Sequence, residues 1–228
     1  MLALYNVGMQ RTFSRCCRQI LLVAFLACLL PLVLLAGKSF NKPVAKSAFT
    51  YPAHDLHRDE KVSIAADPYD NPEKAKIFTI RFAEHGFLPI FVIITNEGDQ
   101  PVTITNLQIK LITGNHSKLT PIGTEDLYRR LSNPQANPGT NNPLPFPRKV
   151  KGTVSKQQMD EIESSQFAAK AVEPHATQAG FFYFDVADLN SPLRGSTLDI
   201  SGVDNASGAE LLFFEIPMDN YRNAPKNP

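Results

Sequence analysis

The strongest pattern in the chain is an unbroken apolar run at residues 20–36, ILLVAFLACLLPLVLLA, without one charged side chain. Arg11, Arg15 and Arg18 precede it, and no acidic residue occurs before Asp55. Basic residues ahead of an apolar segment hold the N-terminus in the cytoplasm and send the downstream chain across the membrane. A helix of this stretch has no polar face to turn to water, so export fits it better than a buried core helix. Its length lies between the apolar region of a signal peptide and a full span. A cut after Ala36 or Gly37 would place Leu34 or Leu35 at the −3 position, where a small residue is wanted. The pattern therefore favours an uncleaved anchor, with a cleaved signal and a released domain as the alternative. It predicts a basic cytoplasmic stub at 1–19, a transmembrane or signal segment at 20–37, membrane contact through 20–36, and a domain outside the cytoplasmic membrane.

Residues 38–75 mix Lys, Pro and polar residues with no sustained period, which predicts a tether closed by a short strand around 61–65. From residue 76 onward the period is two. Phe78, Ile80 and Phe82 alternate with Thr79 and Arg81, as in a strand with one face in a core. Residues 87–95, FLPIFVIIT, are apolar on both faces and predict a central strand. A turn at 96–101 leads into Val102 and Ile104, then Leu107, Ile109 and Leu111, each alternating with polar residues, which predicts an antiparallel hairpin. Residues 181–186, Leu198 with Ile200, and residues 210–216 read as further strands. Two short helices are predicted at 124–131 and 155–166, the second opening on a Ser cap. Seven or eight strands with no βαβ alternation predict an all-β domain at 76–217, an antiparallel two-sheet sandwich, followed by a tail at 218–228.

Composition narrows the picture. The chain has 228 residues, 43% of them apolar and 20% charged, with 18 Pro, 3 Cys and no Trp. This excludes a collagen, a wholly disordered chain and a disulfide scaffold. A formal net charge of +1 gives no electrostatic case for nucleic acid as a partner. Cys16, Cys17 and Cys28 all lie in the stub or the apolar run, so the exported part has no disulfide, thiolate nucleophile or Cys-ligated zinc. Residues 132–149 carry five prolines and four asparagines and read as an insertion without a regular ladder. Within it Pro143, Leu144, Pro145, Phe146 and Pro147 form a stiff segment that suits an aromatic groove on a partner, beside the plainer reading of an inert loop.

Motifs for chemistry are few. The chain has no G-x-S-x-G elbow, HExxH or EF-hand spacing, and its Gly-Lys-Ser at 37–39 lacks the first glycine of a phosphate loop. His54, His57 and Asp59 combine imidazole and carboxylate in the manner of a zinc site, although the stretch also reads as a solvated polar segment. Asp67, Asp70 and Glu73 offer oxygens for Ca²⁺, and Asx-Pro turns produce the same composition without metal. Glu84 and His85 could pair as acid and base, but no nucleophile adjoins them. The rings of Phe181, Phe182, Tyr183 and Phe184 fill a core or line a cavity for a small apolar ligand.

Residues 96–104, NEGDQPVTI, come after a hydrophobic strand and resemble the B–C hairpin of immunoglobulin-like domains in bacterial lipoproteins and surface proteins. Residues 173–186, EPHATQAGFFYFDV, are similar to the same family, with a Pro and a Gly ahead of an apolar strand. The family often has Pro-Gly where this chain has Pro174-His175. The resemblance covers 77–217. It implies an immunoglobulin-like sandwich with a binding or assembly role at the cell envelope, another envelope protein as partner, and no catalytic residues to carry over. The expectation is an exported, membrane-tethered module without catalytic activity or cofactor. A metal-dependent or other hydrolase, or a carrier of a small apolar ligand, stands as the alternative.

Overall fold

The computed structural model describes residues 40–132, 154–211 and 213–224. The apolar run at 20–36 and the Pro143–Pro147 segment lie outside them. Among the described residues no helix is long and apolar enough to cross a membrane.

The protein is all-β, built on antiparallel sheets. One four-stranded sheet has the order β1-β2-β3-β8, from β1 (His54–His57), β2 (Val62–Pro68), β3 (Phe87–Asn96) and β8 (Ala176–Asp185). A second has the order β10-β9-β5-β6, from β10 (Phe214–Pro217), β9 (Thr197–Ser201), β5 (Gln108–Ile112) and β6 (Lys118–Leu119). A small pair joins β4 (Val102–Thr103) to β7 (Ala171–Val172). The helices are α1 (Pro72–Ala75), α2 (Thr124–Ser132), α3 (Lys156–Ser165) and α4 (Met218–Asn223).

Every residue of β3 is buried, because its sheet is covered on both faces. Leu88, Ile90, Val92 and Ile94 share a first core with Ile109, Leu111, Leu198, Ile200, Phe214 and Ile216 of the second sheet. The intervening Phe87, Phe91 and Ile93 enter a second core with Phe181 and Tyr183, closed by Leu127 and Leu131 of α2 and Ile162 of α3. Alternate side chains of a strand point to opposite faces, so two covers demand an apolar run rather than an alternation.

Three sequence expectations change here. Residues 54–68, expected in a tether with only a short strand around 61–65, form β1 and β2, and the expected strand is the start of β2. Val62, Ile64, Ala65 and Ala66 are at most 1% exposed, and β2 pairs with β3 over seven positions. Their burial on both faces erased the period that would have marked them. Phe78, Ile80 and Phe82 are buried as predicted but lie in bends and a short 3-10 helix, not a strand. Thr79 N (2.9 and 3.1 Å) and Ile80 N (3.3 Å) donate to the Glu161 carboxylate instead of a neighbouring strand. The predicted hairpin from 87–95 into 102–105 does not form. β2 and β8 occupy both edges of β3, so β4 leaves that sheet and pairs with β7.

The tail from residue 218 is also drawn in. Met218 is fully buried, and Tyr221 Oη donates to Asp70 at 2.8 Å.

Candidate functional site

Three turns from different parts of the chain meet at one cleft of ≈ 400 Å³: 59–61 between β1 and β2, 96–102 after β3, and 205–211 before β10. Two of the three walls are each built by an asparagine. Asn96 is 1% exposed. Its Oδ1 accepts from Gly98 N (2.9 Å), and its Nδ2 donates to Gln100 O (2.7 Å) and Val172 O (3.1 Å). This one buried amide satisfies the backbone of a turn that has no ladder of its own. On the opposite wall, Asn205 Oδ1 accepts from Ser207 N at 3.0 Å, Ser207 Oγ at 2.7 Å and Ala209 N at 3.0 Å.

Asp99 projects between two cationic-capable groups. Lys61 Nζ lies 3.6 Å from Asp99 Oδ2, and His175 Nε2 lies 3.2 Å from Asp99 Oδ1. Lys61 and His175 both hold left-handed backbone, at φ 57° and 55°, a conformation uncommon outside glycine. All three side chains are well exposed, so these pairs add little stability. They set the orientation of groups a partner would meet. Asp59, Glu60 and Asp99 against Lys61 leave the rim acidic. The cleft presents carboxylates, an ammonium group and side-chain amides, groups suited to hydrogen bonding and charge recognition.

The residues predicted for metal do not converge. Among the described residues no three His, Cys, Asp or Glu side chains are placed to hold an ion. His54 and His57 stand three positions apart in β1, an odd offset that puts them on opposite faces. His54 Nδ1 is engaged with Tyr51 O at 2.6 Å, and the His57 ring stacks on Phe214 at 3.9 Å. Asp59 sits in the turn that forms one wall of the cleft.

The acidic stretch at 67–73 is occupied by its own chain. Lys74 Nζ donates to Asp67 Oδ1 and, at 2.7 Å, to Pro68 O. The same ammonium lies 4.7 Å from the Tyr69 ring and 4.8 Å from that of Tyr221. Burial raises the Asp67 carboxyl above its usual range despite Lys74. Burial also raises the Tyr221 phenol, helped by its bond to Asp70. Asn71 caps α1 by accepting from Glu73 N at 2.9 Å, which is the Asx-turn use of this composition.

Glu84 pairs with Arg81 at 2.9 Å. His85 lines a second cleft of ≈ 290 Å³ with Thr79, Gln158, Leu131 and Val154. The predicted aromatic stripe packs against rings. Phe181 meets Tyr69 at 4.9 Å, Phe91 at 4.8 Å and Phe78 at 5.0 Å. Tyr183 Oη shares a 2.6 Å hydrogen bond with Ser165 Oγ, and burial raises its phenol. A cleft of ≈ 240 Å³ reaches Phe181, Phe182 and Tyr183 between 121–124 and 166–167. At the end of β8, burial works to raise the Asp185 carboxyl, but Arg130 Nη1 donates to it at 2.5 Å and holds it below its usual range.

Sequence reasoning missed the Lys61–Asp99–His175 grouping. A local signal is present in Asn96-Glu-Gly-Asp, which reads as a turn. The meeting of three such turns is a tertiary fact that no local spacing carries.

No family model and no curated protein matches the chain. Two solved structures are similar over part of it. A conserved hypothetical protein from Bacillus anthracis has 10% identity and a TM-score of 0.31, covering 69% of this chain and 87% of that one. A functionally unknown protein from Listeria monocytogenes has 12% identity and a TM-score of 0.31, covering 73% and 83%.

Proposed function

We propose that this protein is a membrane-tethered binding or assembly module of the cell envelope. Its antiparallel domain, of immunoglobulin-like type, stands outside the cytoplasmic membrane, and another envelope protein is its partner. The observation that carries this reading is the cleft at Asp99, where three loops from distant parts of the chain present polar side chains on a rigid two-core scaffold. Binding sites gather on loops positioned by such scaffolds. The charged run-in and apolar segment at 20–36 support export, and an acidic rim suits a basic or amide-rich partner surface.

The test is a photo-crosslinking residue placed at Asp99 in the full chain expressed in its host, with Asp126 on the exposed face of α2 as the control position. An envelope-protein adduct at 99, absent at 126 and lost when Asn205→Ala loosens the opposite wall, is the expected result. Equal labelling at both positions, or none at 99, overturns the reading.

A further inference from the structure

Three residues, Gly37, Lys38 and Ser39, separate the apolar run from Phe40. The Phe40 ring is already part of the domain, stacked on Phe78 with centroids 5.4 Å apart. Four extended residues reach at most ~14 Å, so a bilayer that takes the run ending at Ala36 lies within that distance of Phe40. The exposed side chains just beyond Phe40 are those such a surface selects. Exposed Lys42, Val44 and Lys46 alternate with half-buried Pro43, Ala45 and Ser47, which puts two cations and an apolar group on the outward side. Val44 is 91% exposed and Phe49 47% exposed.

The charge is equally local. Lys38, Lys42 and Lys46 are the only charged residues between the apolar run and Asp55, whereas residues 47–228 carry 17 basic side chains against 22 acidic. We infer that residues 42–49 dock on the anionic headgroup layer of the membrane that holds residues 20–36, with Val44 and Phe49 entering the interface. Lysine stems lie along apolar surface while their ammonium groups reach phosphate, and apolar side chains beside them gain burial in the same layer. Lys42 donates to Gln166 O at 3.1 Å, which leaves its ammonium two further donors for phosphate. The inference rests on the membrane-tethered reading above.

The chain has no Trp, so single substitutions provide clean reporters in the full-length protein. It is reconstituted into phosphatidylcholine–phosphatidylglycerol vesicles brominated at shallow or deep acyl positions. Phe25→Trp quenched by deep bromines reports insertion of the apolar run. Phe49→Trp quenched by shallow bromines reports docking, and Phe213→Trp, beside β10 in the other sheet, stays unquenched. Adding Lys42→Gln and Lys46→Gln lowers the docked-to-free ratio seen by Phe49→Trp roughly thirtyfold, from the attraction of two cations to an anionic surface, and leaves Phe25→Trp unchanged. Deep quenching at 25 without shallow quenching at 49 overturns the docking and leaves the anchor standing. No quenching at 25 overturns the anchor, and the inference with it. Quenching at 49 that the lysine changes do not move, or that 213 shares, overturns the inference. So does a blue-shifted, unquenched Phe49→Trp, which marks a protein contact instead.

Discussion

Glu161 is 2% exposed, and among the described residues no Lys or Arg hydrogen-bonds to its carboxylate. Its oxygens are used by Thr79 N, Thr79 Oγ1 and Ile80 N. A buried anion is tolerated where donors replace its water. Here those donors come from a bent segment that has no strand to satisfy it, and the bond ties α3 to the loop carrying Phe78 and Ile80. Glu161→Gln turns an amide N–H₂ toward backbone N–H groups and leaves at least one buried donor unpaired. The expected loss is about 2 kcal/mol of unfolding free energy, read from the urea midpoint at pH 7. An unchanged midpoint would show that the loop is held by its rings alone. Nothing in the sequence around 161 signals this use, because Glu in the middle of a helix is ordinarily solvated.

At the scale of elements, what was legible depended on how many sides each one has covered. Residues 87–95 announced a central strand because two covers require an apolar run, and residues 181–186 announced a strand through a similar run of apolar side chains. The capping box at Ser155, with Gln158 returning its side chain to the cap, marked α3. The 78–82 alternation misled because burial with period two was taken as strand geometry, while the backbone there is satisfied by Glu161. The edge of β8 was illegible. Gln166 meets Phe181 in an isolated parallel bridge, and the chain at Phe167 passes so close to Gly180 that a Cβ there would lie 2.2 Å from Phe167 Cα. Glycine inside a strand marks such an approach of another backbone. Gly180→Ala must push the 166–167 segment off the sheet edge, and the expected cost is about 3 kcal/mol. Thermal unfolding measures the loss, and hydrogen exchange at 166–168 and 180–182 shows where it falls. A silent substitution would mean that this cover is not held against β8. The same limit applies to the cleft, since Asn96 and Asn205 are visible as turn residues while their convergence with Lys61 and His175 depends on sheet pairing far along the chain.

At the scale of the whole molecule, the structure moves the boundary of the folded unit. The sequence pattern starts the domain at residue 76 and leaves residues 38–75 outside its core. The structure instead packs Phe40 into the domain and places β2 inside the main sheet, between β1 and β3. Removing β2 strips seven register positions from β3 and exposes one whole edge of an apolar strand. It also empties the places of Val62 and Ile64 in the first core, each worth about 1.5–3 kcal/mol of burial. The summed loss, with Ala65 and Ala66 and the ladder itself, is comparable with the ~5–15 kcal/mol that holds an ordinary domain together. A chain of residues 76–228 is therefore expected to show no cooperative thermal transition and to aggregate through the bared β3 edge. A chain of residues 39–228 is expected to melt in a single cooperative step. Circular dichroism during heating, with light scattering on the same samples, separates the two. Cooperative melting of the shorter chain would return residues 38–75 to the role of a tether.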